Sequence, residues 1–290
     1  MKYYSYFPGC SSSEGGARAY GDSTLAVAKA LDVEFKELDD WNCCGSTPYN
    51  SFDELASLSL SGRNLALAEK RGFDLVTPCS SCYVMLNRTN TYLSKYPKAK
   101  AKIDEALAAG GLKYNGTIKV RHILDVFVRD IGYEAVKAKV KKNLGGLKVA
   151  AYYGCQIVRP KNDFDHTENP TSMDRLVESL GGEAVPFPMK SRCCGASLII
   201  SEQDVAVDLL KKIFDSAAGN GAQCMITVCP LCQTNLDAYQ SQVNKKYHTS
   251  FNLPVLFFTQ LMGVALGVDQ KELGLKAGIV PAEPVLAKYL

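Results

Sequence analysis

Asp74-Leu75-Val76-Thr77-Pro78-Cys79-Ser80-Ser81-Cys82 is a short apolar run that ends in a Cys-x-x-Cys pair, and the chain repeats it as Met225-Ile226-Thr227-Val228-Cys229-Pro230-Leu231-Cys232. Upstream, the match continues. Cys10 precedes Cys43-Cys44-Gly45 by 32 intervening residues, and Cys155 precedes Cys193-Cys194-Gly195 by 37. From each Cys-Cys pair to the following Cys-x-x-Cys there are 34 residues in both halves. Tyr6-Phe7-Pro8-Gly9-Cys10 answers to Tyr152-Tyr153-Gly154-Cys155, and Val120 to Val126 to Val255 to Leu261. Internal duplication is the simplest account.

Short apolar segments at 3–7, 33–38, 73–77 and 118–121 read as strands, as do 147–153, 184–187, 224–228 and 254–257 in the same order. Between them lie helical stretches. One, Asp53 to Lys70, carries Leu55, Leu58, Leu65 and Leu67 near helical spacing on a face broken by Ser and Gly. The fold class expected is α/β: two tandem homologous domains, each a small parallel sheet flanked by helices. The expected halves are 1–143 and 144–290, separated around Lys142-Asn143-Leu144-Gly145-Gly146. In such a fold the cysteines fall just past the carboxyl ends of strands, where open α/β sheets hold ligands. Pro230 suits a first helical position, so backbone N–H groups there can face thiolates.

Ten of the eleven cysteines belong to the two quintets. A structural zinc is satisfied by four ligands, and adjacent residues such as Cys43 and Cys44, about 3.8 Å apart at Cα, chelate one ion only under strain. Vicinal cysteines reach two metal atoms more naturally, and thiolates in this number select iron–sulfur chemistry. Two zinc sites using four ligands each, or zinc in one half, remain the alternative. Stray buried cysteines do not repeat at matched spacing. Cys224, on a predicted buried strand, reads as a core thiol.

With 290 residues, 47% apolar, the chain has material for two cores, and a net charge of +3 without basic runs argues against nucleic acid as a partner. No run of about 18 apolar residues is present and neither end carries a charged-then-apolar leader, so no membrane insertion and a cytoplasmic location are expected. Ferredoxin, dinucleotide and Walker motifs are absent.

The paired Cys, Cys-Cys-Gly and Cys-x-x-Cys sets resemble the cysteine-rich domains of the B-type subunit of heterodisulfide reductase, over almost the whole chain. The resemblance implies two noncubane 4Fe-4S clusters. Cys10, Cys43, Cys44, Cys79 and Cys82 would hold one; Cys155, Cys193, Cys194, Cys229 and Cys232 would hold the other. It implies a catalytic subunit that reductively cleaves a small-molecule disulfide, in methanogens the coenzyme M–coenzyme B heterodisulfide, between the clusters. Its implied partners are the C-type ferredoxin-like iron–sulfur subunit, the A-type flavin-containing subunit and further electron-donor subunits. Related domains also serve quinone-linked and fumarate-linked reductases, so electron transfer without disulfide cleavage is the alternative. Where methanogen members commonly carry glycines after the second Cys-Cys-Gly, this chain has Ala196-Ser197-Leu198-Ile199-Ile200, which is expected to reshape the pocket.

An anionic substrate needs cations, and Arg159, Lys161, His166 and Arg192 are the candidates near the cysteines, with Arg18 and Lys190 behind them. His122 reads as a core or supporting histidine. Tyr152 and Tyr153, beside Cys155, are candidate hydrogen-bond donors to a leaving thiolate.

Overall fold

The computed structural model of the chain describes residues 2–46, 49–159 and 164–290. The first half runs β1 (Lys2–Tyr6), α1 (Arg18–Ala30), β2 (Val33–Glu37), α2 (Glu54–Arg71), β3 (Leu75–Thr77), α3 (Ser80–Lys95), α4 (Pro97–Ala109) and β4 (Val120–His122). The second runs β5 (Lys148–Tyr152), α5 (Ser172–Ser179), β6 (Glu183–Ala184), α6 (Gln203–Gly219), β7 (Cys224–Thr227), α7 (Pro230–Ala238), α8 (Gln240–Tyr247), β8 (Val255–Phe257) and α9 (Phe258–Leu266). Each half builds a four-stranded, wholly parallel sheet, in the orders β2-β1-β3-β4 and β6-β5-β7-β8. All eight expected strands form. The edge strand β6 is the shortest, because Pro186 follows two residues after it and cannot extend a ladder.

Local chemistry explains the helix ends. Asp53 Oδ1 accepts from the Ala56 N–H at 2.9 Å to cap α2, and Gly72 closes that helix in the left-handed region at φ 76°. The Ser and Gly residues that break its apolar stripe turn out to be buried contacts. Ser57 Oγ donates to the Gly45 carbonyl at 2.7 Å, and a Cβ on Gly62 would lie 3.3 Å from Ile103, so these small residues let α2 approach the cysteine loop and α4 closely.

Each sheet has two covered faces. One packs on the half's own helices: Leu58, Leu65, Leu75 and Ile103 in the first half, Leu210, Phe214, Met225 and Leu236 in the second. The other enters a single core built by both halves, in which Tyr4, Val27, Val76 and Phe127 meet Val149, Ile226, Phe258 and Leu261. Tyr20 of α1 stacks on Phe257 with centroids 4.2 Å apart, and Phe127 meets Phe258 edge-on at 6.2 Å. The buried hydroxyls of Ser23 and Thr259 share a hydrogen bond of 2.7 Å beside them. Reciprocally, Arg175 of α5 lies over the Tyr133 ring of the first half at 4.3 Å. Cys224 is fully buried in this shared core, as expected of a packing thiol.

Phe127→Ala empties a site touched from both halves and is expected to cost about 3–5 kcal/mol. Urea unfolding followed by fluorescence and by circular dichroism should show one transition moved as a whole. Two transitions, with only one displaced, would count against a shared core.

Candidate functional site

In both sheets the order reverses direction beside the first strand, β2 lying on one side of β1 and β3 on the other, which opens a crevice at the carboxyl ends. Cys10 and Cys79 follow β1 and β3 into that crevice; Cys155 and Cys229 do the same after β5 and β7. The Cys-Cys-Gly loops arrive after β2 and β6. Gly9 and Gly154 adopt φ +74° and +70°, and a Cβ there would stand 3.0 Å from Cys82 Sγ and 3.2 Å from Cys232 Sγ, so only glycine lets the first cysteine of each set come so close to the last.

The sulfurs form a chain that crosses between the halves. Cys43 neighbours Cys44, Cys44 neighbours Cys82, and Cys82 neighbours Cys79. Cys79 meets Cys229 of the other half, which leads to Cys232 and, at 3.4 Å, to Cys194. Cys155 pairs with Cys193, and Cys10 lies close enough to Cys43 to disfavour its thiolate. All ten cysteines of the quintets therefore gather along one seam. Among the described residues no three Cys, His, Asp or Glu side chains are grouped so as to hold a single metal ion.

Crowding sets the electrostatics. Contact with Cys43 and Cys82 draws the Cys44 thiol down to about 4, while Cys43 itself is pushed up by Cys44 and by burial. In the second half Cys155 and the Gly195 N–H, 3.3 Å from the sulfur, draw Cys193 down to about 6, and Cys155 rises. Cys229, despite the lowering contact with Cys232, is pushed up to about 12 by Cys79 and burial. Cys79 is held low by Cys229 and Cys82, and the N–H of Cys82 at the start of α3 contributes, although no capping hydrogen bond closes there. Some thiols ionise only because neighbours stay protonated; a fully ionised quintet needs cations among the sulfurs. The donor set is sulfur alone, which fits a soft, thiophilic centre.

Three cavities border this seam. The smallest, about 70 Å³, brings Ser80 and Ser81 of the first half against Cys155, Cys193, Cys194, Cys229 and Cys232. Gln156 lines it and also a groove of about 370 Å³, where Tyr83, Arg88, Tyr92 and Lys95 along α3, with Tyr96 just after it, face Arg159 of the second half. The third, about 660 Å³, lies beside Cys43 in the first half, with Leu60, Arg63, Leu107 and Leu112 on its walls.

The polar candidates sort by these cavities. Arg159 lines the groove, donating to the Ser191 carbonyl and pairing with Glu168, both at 2.8 Å. Lys161 lies outside the described residues. His166 is exposed and accepts the N–H groups of Glu168 and Asn169 at Nδ1, a loop-closing role, and it lines none of the three cavities. Arg192 is likewise exposed and outside them; its carbonyl accepts the Tyr152 hydroxyl at 2.6 Å. Lys190 is buried in an ion pair with Asp174 at 2.7 Å, and Arg18 pairs with Asp22 on the surface. Tyr153 lines the small cavity, but its hydroxyl donates to Asp174 at 2.7 Å, so packing accounts for both tyrosines. His122 is buried and held neutral, its pKa lowered to about 4 by desolvation. Its Nδ1 accepts from Leu124, so Nε2 donates to the carbonyls of Pro78 at 2.7 Å and Val228 at 3.3 Å, stitching the two Cys-x-x-Cys loops together. Ala196 and Ser197 line the small cavity, while Ile200 is 96% exposed. Sequence reasoning missed Arg88 and Lys95, although the i, i+4 row Tyr83-Asn87 and Arg88-Tyr92-Tyr96 on the helix leaving Cys82 was there to be found.

A cysteine-rich (CCG) domain family model matches residues 4–87 and 149–237. The chain is 38% identical over 284 residues to the 8-methylmenaquinol:fumarate reductase membrane anchor subunit of Wolinella succinogenes, covering 97% of this chain and 98% of that one. It is 33% identical over 271 residues to the B-type subunit of the ferredoxin:CoB-CoM heterodisulfide reductase of Methanosarcina mazei, covering 92% and 90%. A protein of Archaeoglobus profundus, described as like the B-type heterodisulfide reductase subunit, is 31% identical, with 92% of each chain covered. Among solved structures, a hypothetical protein from Helicobacter pylori shares the fold, with a TM-score of 0.75 at 17% identity over 96% of this chain; this chain spans 52% of that one. Among the described residues no helix is long and apolar enough to cross a membrane.

In metal-free protein at pH 7, Cys193, with its pKa near 6, is expected to be alkylated by a brief iodoacetamide pulse well before Cys155. Its rate should fall about tenfold at pH 5, as the thiolate is protonated. Equal labelling of the two by mass spectrometry would contradict this sharing of protons.

Proposed function

The chain belongs to the cysteine-rich domain family that contains the B-type subunit of heterodisulfide reductase, and we propose that it is the oxidoreductase subunit in which a disulfide is reductively cleaved between two iron–sulfur centres. One observation carries this reading: Cys79 and Cys229 are neighbours across the seam, so the two quintets serve one place and not two. Cys10, Cys43, Cys44, Cys79 and Cys82 hold one centre, Cys155, Cys193, Cys194, Cys229 and Cys232 the other, with the halves divided at 143/144. When bound, the centres supply single electrons and a thiophilic iron for each sulfur.

The chemistry is R–S–S–R′ + 2e⁻ + 2H⁺ → R–SH + R′–SH, with electrons from ferredoxin-like and flavin-bearing partners in a cytoplasmic reductase complex. The residues of this chain bind, orient and exclude water. Ser80, Ser81, Ala196 and Ser197 bound a cavity too small for a whole substrate, so only the disulfide end enters it. Arg88, Lys95 and Arg159 line the adjoining groove, Arg88 paired with Glu54 and Arg159 with Glu168, and a sulfonate, phosphate or carboxylate tail would take the place of those carboxylates.

A second reading, transfer of electrons between these centres and a quinone, draws on the largely apolar cavity beside Cys43 and on the 8-methylmenaquinol in the name of the Wolinella relative. Anaerobic purification, with iron, sulfide and zinc analysis and EPR with and without thiols or a menaquinol analogue, separates the two. About eight irons and a new thiol-dependent signal are expected. A response to quinol alone favours the second reading, and two zincs exclude both. Arg88→Ala or Arg159→Ala is expected to raise KM for an anionic disulfide about tenfold or more with kcat little changed, each removing a charged hydrogen bond; unchanged KM in both would remove the groove from the reading.

A further inference from the structure

The duplication singles out one buried polar group per half. Thr77 ends β3 and Thr227 ends β7, pairing at matching register with His122 of β4 and Phe257 of β8. Each stands two residues before the first sulfur of its Cys-x-x-Cys pair. Both side chains are 0% exposed, and among the described residues neither hydroxyl has a hydrogen-bond partner. Burying a hydroxyl unpaired is costly, and native structures rarely leave one so. Among the described residues other unpaired hydroxyls do not recur: the counterpart of Ser5 is Ala150, and that of Ser12 is Ile157.

Strand alternation fixes which way the pair faces. Val76 and Ile226 enter the core shared by the halves, whereas Leu75 and Met225 face the opposite side. On that side lie the buried Cys44, Cys79 and Cys82 in one half, and Cys194, Cys229 and Cys232 in the other. Thr77 and Thr227, two residues beyond Leu75 and Met225, return to the cysteine face.

We propose that Thr77 and Thr227 each donate the hydroxyl hydrogen to a sulfur of the centre in their own half and so set the potentials of the two centres. The proposal rests on the reading that each quintet holds an iron–sulfur centre. A hydrogen bond to sulfur withdraws electron density and favours the more negative, reduced state, which raises the reduction potential. Two donors at equivalent places keep the centres matched, as a reaction that takes one electron from each requires.

The test compares Thr77→Val and Thr227→Val, which keep the side-chain shape, with Thr77→Ser and Thr227→Ser, which keep the hydroxyl. Anaerobically purified protein is assayed for iron and sulfide per chain and titrated potentiometrically under EPR. Each valine variant is expected to lower the reduced-to-oxidised ratio of one centre about tenfold at fixed potential, 59 mV for a one-electron couple. The other centre should stay in place, and the serine variants should titrate like the parent. Unchanged midpoints in both valine variants at full iron content overturn the proposal. Iron lost from the valine variants but kept by the serine variants supports it, because the hydroxyl then holds the centre; iron lost from both overturns it, because shape alone then matters. Zinc in place of iron in the parent protein overturns the underlying reading instead, so the two failures are told apart.

Discussion

Sulfur crowding is the constraint on which the rest depends. Ten thiols meet along one seam, and their proton affinities are split apart by mutual contact: Cys44 is drawn down to about 4 and Cys229 driven up to about 12. Such a cluster is stable only when its charge is shared with protons or with bound cations. The surroundings are arranged for that purpose. Glycines before Cys10 and Cys155 remove the side chains that would push the sulfurs apart, and the starts of α3 and α7 turn backbone N–H groups toward them.

The scaffold holds this crowd by distributing it over two sheets that bury one face against each other. His122 links the halves beside the sulfurs, since its Nε2 reaches the carbonyls of Pro78 and Val228, each one residue ahead of a Cys-x-x-Cys pair. A neutral imidazole suits that place, because a charged one would be buried without a counterion. Ser80 Oγ and the Tyr20 hydroxyl donate to the same Val228 carbonyl, at 3.1 and 3.3 Å. The distance between the quintets is thus fixed by hydrogen bonds to main chain.

Much of this was legible in the sequence because cysteine spacing and short apolar strands are local signals. The strands, the duplication, the place of the quintets beyond strand ends and the core role of Cys224 all follow from residues close together in the chain. What escaped depends on packing between distant segments. Lys190 looks like a free cation beside the cysteines until the fold sets it against Asp174, and Arg192 and His166 line none of the three cavities at the seam. Arg88 and Lys95 gain meaning only when α3 is laid opposite Arg159. The single core is equally invisible to periodicity, which says that a strand has two apolar faces and not whose helices cover them.

That common core bears on ancestry. A lone half, cut from its sister, would bare Tyr4, Val27, Val76 and Phe127, or in the other case Val149, Ile226 and Leu261, a surface suited to adhesion and not to solvent. Two copies of one primordial module would hide it by pairing about a two-fold axis, α1 of each seated on its mate. On that account the present polypeptide is a fused homodimer, and fusion leaves its two sides free to differ: Arg88 and Lys95 stand on one and Arg159 on the other.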